Sequence, residues 1–175
     1  LKSGHIIEVS RSDLIGMYRG ETAQNVVKAV ERAIGGVLFI DEAYLLADKA
    51  DEKSHGYEAI GTLSKLMEDR RGEFIVIAAG YQAEMRNLLN TNPGFTSRFG
   101  STISFPDYKL DELTEIFNHM LKSTNFEVDP TGAERVKKIL DQKRKKKNFG
   151  NGRDVRTLFE NSVGNQASRL CKLND

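Results

Sequence analysis

The sequence has 175 residues, 39% of them hydrophobic and 29% charged, with a formal net charge of +1. This is length enough for a sizeable core, or for one core with a small appended domain, and the near-neutral balance gives no electrostatic reason to expect a nucleic-acid partner. A single cysteine, Cys171, excludes an intrachain disulfide, argues against a zinc cluster and suits a reducing, cytoplasmic compartment; no apolar run is long enough to cross a bilayer.

In chain order, His5-Ile6-Ile7-Glu8-Val9 reads as a strand, with Ser10 to Asp13 leaving it. Ala23, Val26, Val27, Val30, Ala33 and Ile34 fall at helical spacing and predict a helix over residues 22–34, with Thr22 as its N-cap and Gly35-Gly36 as its stop. Val37-Leu38-Phe39-Ile40 is a continuous apolar run, the pattern of a strand buried on both faces in a parallel sheet. Residues 48–56 are polar and read as a loop; Tyr57, Ile60, Leu63 and Met67 mark the next helix. Residues 74–79 repeat the buried-strand pattern and end at Gly80, a short helix covers residues 83–89, and Thr102-Ile103-Ser104-Phe105 is a last short strand closed by Pro106. Alternating strands and helices predict an α/β layer fold with a parallel sheet.

Beyond Asp107 the pattern is helical only. Leu113, Ile116, Phe117, Met120 and Leu121 form one stripe, with Asp111 placed to cap it. Asp129-Pro130 opens a second helix as an N-cap followed by proline at the first position, and Val155, Leu158, Phe159 and Val163 mark a third after Gly150-Asn151-Gly152. The chain therefore divides into an α/β part, residues 1–106, and a small all-α part, residues 107–175.

The strongest local signal for chemistry is the apolar run that ends in Asp41-Glu42. Ligands bind at the carboxyl ends of strands in open α/β sheets, and a nucleotide hydrolase needs one carboxylate for Mg²⁺ and one for the attacking water. The same pair can equally just end a buried strand. On the run alone the two readings stand about even.

The surrounding motifs decide between them. Residues 13–23 (Asp-Leu-Ile-Gly-Met-Tyr-Arg-Gly-Glu-Thr-Ala) and 36–44 (Gly-Val-Leu-Phe-Ile-Asp-Glu-Ala-Tyr) resemble the AAA+ subgroup that contains the red-type rubisco activases, the stage V sporulation K-type proteins and the ATPases of type VII secretion. Residues 92–99 (Asn-Pro-Gly-Phe-Thr-Ser-Arg-Phe), 105–108 (Phe-Pro-Asp-Tyr) and 149–153 (Phe-Gly-Asn-Gly-Arg) follow in the same order. Five motifs in register over essentially the whole chain are specific where one alone is weak.

The resemblance implies a P-loop NTPase-like parallel sheet with a helical lid, acting on ATP with Mg²⁺. It implies that Asp41 and Glu42 are the Walker B pair, with Asp41 holding Mg²⁺ through water and Glu42 activating water. Arg98 matches the arginine finger that reaches the nucleotide of a neighbouring subunit. Arg153 matches the sensor 2 arginine, with Arg156 one turn on as the fallback, and Tyr18, between Gly16 and Gly20 in a loop expected to be mobile, matches the aromatic of pore loop 1. Two departures stand out. The strand over residues 74–79 ends in Ala79-Gly80-Tyr81 rather than in an asparagine, so the nucleotide contact expected there passes to Gly80 or its neighbour; and no G-x-x-x-x-G-K-[ST] occurs in the sequence. The expectation is a module that starts after its phosphate loop and its first core strand, inactive on its own.

The function so implied is ATP hydrolysis coupled to remodelling or threading of a protein substrate through the pore of a homo-oligomeric ring, a hexamer by resemblance, since an arginine donated in trans requires a neighbour. The rival is a catalytically incompetent assembly or binding module, against which the retained Glu42, Arg98 and Arg153 argue. A DNA-handling role is disfavoured by the charge balance and by Tyr18. The basic run of residues 143–147 reads as a solvated face at a helix C-terminus, where cations complement the dipole.

Overall fold

The computed structural model describes residues 3–18, 20–47 and 55–173, and separates the chain into two compact units, Leu1–Ser104 and Phe105–Asp175. The expected loop over residues 48–56 lies, up to residue 54, outside the described residues.

In the first unit, β1 (Ile6–Val9), β2 (Val37–Ile40) and β3 (Ile75–Ala78) form a parallel sheet in the order β1-β2-β3. Ile7 pairs with Leu38 and Leu38 with Val76, and Val9 with Ile40 and Ile40 with Ala78, so these six residues share one face. Leu38 and Ile40 point into the core, where Val9 joins them and Ile7, Val76 and Ala78 pack at the margin. The residues of the other face, Ile6, Val37, Phe39, Ile75 and Ile77, take no part in that core, and Ile75 and Ile77 are about half exposed. The expectation of strands buried on both faces is therefore corrected: among the described residues the core draws on one face of the sheet only.

Helix α1 (Arg11–Leu14) is a single turn closed by Asp13, whose Oδ2 accepts from the Ser10 amide at 2.8 Å and from its hydroxyl at 2.7 Å. Those bonds, the backbone one foremost, hold the Asp13 carboxyl below the usual carboxylate range. Helix α2 (Glu21–Ala33) lays Val26, Ala29, Val30 and Ala33 against β1, β2 and α3 (His55–Asp69), which contributes Ala59, Ile60 and Leu63. The N-cap of α2 is Gly20, at φ 80°, not Thr22. Thr22 lies inside the helix, fully buried, and its hydroxyl accepts from the Gly16 amide at 3.0 Å. The helix stops at Gly35, where φ of 83° is the left-handed conformation that glycine adopts without strain. Helices α4 (Gln82–Thr91) and α5 (Pro93–Thr96) complete the unit, with Leu88 and Phe95 buried.

The strand expected over residues 102–105 does not form. A strand needs a partner for its backbone groups. Among the described residues the sheet consists of β1, β2 and β3 alone, and Ile103 is 77% and Phe105 90% exposed.

The second unit is three helices. Helix α6 (Leu110–Ser123) packs on α7 (Pro130–Lys143) and on α8 (Gly152–Leu173) around Leu113, Phe117, Leu140 and Val155. Phe117 and Phe159 meet edge to face at 5.9 Å. Asp129 caps α7 as expected, accepting from the Gly132 amide at 2.6 Å. Asp111 does not cap α6. Lys109 is the N-cap, its amide held by Glu112 at 2.7 Å, and Asp111 sits one residue inside the helix, where it pairs with Lys137 at 3.1 Å.

Candidate functional site

Asp41 and Glu42 leave the carboxyl end of β2, both exposed. Their orientation is fixed locally. Glu42 takes the left-handed backbone conformation (φ 48°, ψ 42°), which a residue with a β-carbon holds only where its surroundings impose it. Asp41 Oδ1 accepts from the Glu42 amide at 3.0 Å, and a 3₁₀ turn over Ala43–Leu46 follows at once. That turn is anchored by buried Ala43 and Leu46, and by the Ala43 amide donating to the Ala79 carbonyl at the end of β3, 2.9 Å away.

Within the turn, the Tyr44 hydroxyl donates to Glu42 Oε1 at 3.0 Å. Lost solvation and then that bond to a carboxylate push the Tyr44 phenol above its ordinary range. Its ring lies against Gly80, where a β-carbon would come within 2.7 Å of Tyr44 Cδ1 and 2.9 Å of Met85 Sδ. The Tyr81 ring is also near, tilted against it with ring centroids 6.0 Å apart. The strand ends thus gather Asp41, Glu42, Tyr44, Gly80 and Tyr81 in one place. Two oxygen-bearing side chains at a strand terminus suit a hard cation such as Mg²⁺ whose other ligands are phosphate and water; among the described residues no cluster of three or more His, Cys, Asp or Glu side chains forms a self-sufficient metal site.

Arg98 is displayed by an anchored turn. Phe95 is buried and stacks edge to face on Phe99 at 4.9 Å, and the Arg98 amide donates to the Phe95 carbonyl at 3.1 Å. The guanidinium Nε lies 3.3 Å from Glu68 Oε2 on α3, both side chains partly exposed. Pairs of this kind contribute only about 0–1 kcal/mol, so Glu68 aligns Arg98 without locking it.

Tyr18 is 75% exposed. The glycines beside it led to the expectation of a slack loop, yet its backbone is held. Glu21 Oε2 accepts from the amides of Met17 at 2.8 Å and Tyr18 at 3.0 Å, and a β-carbon on Gly16 would strike the Glu21 side chain at 2.5 Å. Gly16 is needed for close approach rather than for looseness. Sequence reasoning missed Glu21 and Tyr44; a carboxylate three residues after the aromatic, and a phenol two residues after the acidic pair, were the signals available.

Arg153 belongs to the second unit. It is exposed in the first turn of α8, its amide donating to the Gly150 carbonyl at 3.0 Å. The preceding Asn151 is left-handed (φ 50°), and its side chain ties the unit's first residues to α8: Nδ2 donates to Asp107 Oδ1 at 2.7 Å and Oδ1 accepts from the Tyr108 amide at 3.0 Å. Asp154 accepts from the Gly150 amide at 2.6 Å and from Lys143 at 3.3 Å, and these bonds hold its carboxyl below the usual range. Lys143 is thereby a structural partner within the basic run. Arg156 is exposed on the same helix.

Residues 2–107 match the model of the ATPase family associated with various cellular activities (AAA). The chain belongs to the AAA family. Residues 109–175 match the AAA lid domain. Stage V sporulation protein K of Bacillus subtilis is 44% identical over 97% of this chain and 53% of its own length. Protein CbbX of Cereibacter sphaeroides is 41% identical over 97% and 55%, and the chloroplastic ribulose bisphosphate carboxylase/oxygenase activase of Cyanidioschyzon merolae is 38% identical over 97% and 55%. These relatives place the chain in the subgroup of red-type rubisco activases and stage V sporulation K-type proteins. The chain spans about half the length of the curated relatives it matches. Among solved structures, the FIGL-1 AAA domain in complex with ADP shares the fold, with a TM-score of 0.60 over 87% of this chain and 49% of that one, at 17% identity.

Proposed function

We propose that this chain is part of a subunit that hydrolyses ATP and spends the free energy on remodelling a protein partner. The observation that carries the reading is the carboxylate pair at the end of β2, with Glu42 fixed in a left-handed backbone conformation and hydrogen-bonded by Tyr44. Asp41 suits the water-mediated holding of Mg²⁺, and Glu42 suits orienting the attacking water and taking its proton. Mg²⁺, when bound with ATP, supplies neutralisation of phosphate charge. Arg98 acts in a neighbouring subunit's site, where a permanently charged planar guanidinium meets phosphate oxygens in a fork, and Arg153 reports nucleotide state from the lid. Gly80 and Tyr81 line the same site.

A ring follows from an arginine given in trans, and in that ring Tyr18 meets the substrate by apolar contact that demands no particular sequence. One relative's name is that of an activase of ribulose bisphosphate carboxylase/oxygenase, which supports a folded protein as the substrate class. The test is Glu42→Gln in the full-length protein. Hydrolysis should be nearly abolished while ATP binding, followed by calorimetry with Mg²⁺ present, stays within a few-fold of the parent, because Asp41 is untouched. Substantial turnover by this variant removes Glu42 from its role.

A further inference from the structure

We propose that Tyr44 is a positioning residue of the hydrolytic site, its phenol holding the Glu42 carboxylate in the orientation from which it works on water. The inference rests on the ATPase reading above and adds to it a group beyond the Asp41-Glu42 pair.

Four observations converge on Tyr44. The left-handed backbone at Glu42 turns its side chain out of the line of β2, and the 3₁₀ turn that follows brings Tyr44 back beside it. The turn cannot drift, because the Ala43 amide is bonded to the Ala79 carbonyl at 2.9 Å and the Leu45 amide to the Glu42 carbonyl at 2.8 Å. The phenol ring has little freedom of its own, seated on Gly80 where even a methyl group would collide, with Tyr81 alongside. A rigid ring then presents one donor to one carboxylate oxygen, Oε1, at 3.0 Å.

The other carboxylate oxygen, Oε2, receives no hydrogen bond among the described residues and is the one placed to accept from water. An exposed glutamate side chain has three rotatable torsions. Fixing one of its oxygens removes most of that freedom, and misplacement of a catalytic group by about 1 Å can cost about 10²-fold in rate. The same packing explains why position 80 is glycine: its role toward Glu42 passes through the seat it gives the Tyr44 ring.

The experiment is Tyr44→Phe in the full-length protein, with Glu42→Gln in parallel, reading kcat, KM for ATP and thermal unfolding. Phenylalanine keeps the ring on Gly80 and removes only the donor. The expected result is a fall in kcat on the order of 10- to 100-fold, with KM within about twofold and the unfolding temperature unmoved. An unchanged or increased kcat overturns the proposal, since the bond would then be idle or a restraint. Parallel shifts in KM and unfolding temperature overturn it too, since Tyr44 would be a packing residue only. Full turnover by Glu42→Gln is a separate failure, of the role given to Glu42, and absence of ATP turnover by the parent protein is a failure of the ATPase reading itself; a defect confined to the Tyr44 proposal leaves the parent active and Glu42→Gln inactive.

Discussion

Replacing Asn151 separates two contributions that meet in one residue. Its side chain makes two hydrogen bonds, 2.7 Å to the Asp107 carboxylate and 3.0 Å from the Tyr108 amide, and its backbone is left-handed at φ 50°. Net values run about 0.5–1.5 kcal/mol for a neutral hydrogen bond and about 1.5–3 for one to a charged group. Both bonds lie at the surface, where water competes, so the low ends apply and the pair contributes about 2 kcal/mol. Alanine loses both bonds and must also hold a conformation that costs a β-carbon about 1 kcal/mol, whereas glycine loses the bonds alone. Asn151→Ala is therefore expected to cost about 3 kcal/mol and Asn151→Gly about 2, measured by urea unfolding of the whole chain followed by its helical circular dichroism. Hydrogen exchange at the Tyr108 amide should lose protection in both variants. Equal stability of the two variants, or both within about 0.5 kcal/mol of the parent, would refute the reasoning.

Arg98→Ala should reduce hydrolysis by about 10³- to 10⁵-fold, the range for arginine fingers, with little change in nucleotide affinity. Mixing it with subunits carrying Glu42→Gln should restore turnover at junctions where an intact Arg98 faces an intact site; no recovery in the mixture would place Arg98 in cis. Tyr18→Ala should leave assembly and ATP turnover in place while abolishing work on a protein partner, measured as loss of partner-stimulated hydrolysis. An equal loss of assembly would make Tyr18 a packing residue.

Most of the fold was legible because its signals are local. Val37-Leu38-Phe39-Ile40 has the length and branching of a strand, and β2 occupies those four residues. Asp129-Pro130 carries both its cap and its proline in the sequence, and α7 begins there. Errors arose where the answer depended on a partner distant in sequence. Residues 102–105 have strand composition, but pairing is a property of two segments, and among the described residues they pair with no strand. Thr22 has a good capping side chain, yet it lies inside the helix with its hydroxyl accepting from the Gly16 amide, six positions away. At the site, the acidic pair was visible as types at a spacing; the seat of Tyr44 on Gly80 was not, because it joins two strand ends 36 residues apart in sequence.

The carboxylate of Glu21 has a mechanical meaning beyond holding two amides. Met17 and Tyr18 are bonded to the first residue of α2, and Gly16 to its second, so the backbone carrying the exposed ring is an outrigger of that helix rather than a tether. Helix α2 in turn is keyed into the core through Val26, Ala29, Val30 and Ala33, and packs on the strand that ends in Asp41 and Glu42. A force applied at Tyr18 would pass through these bonds to a helix seated on the sheet, whose middle strand leads into the two carboxylates.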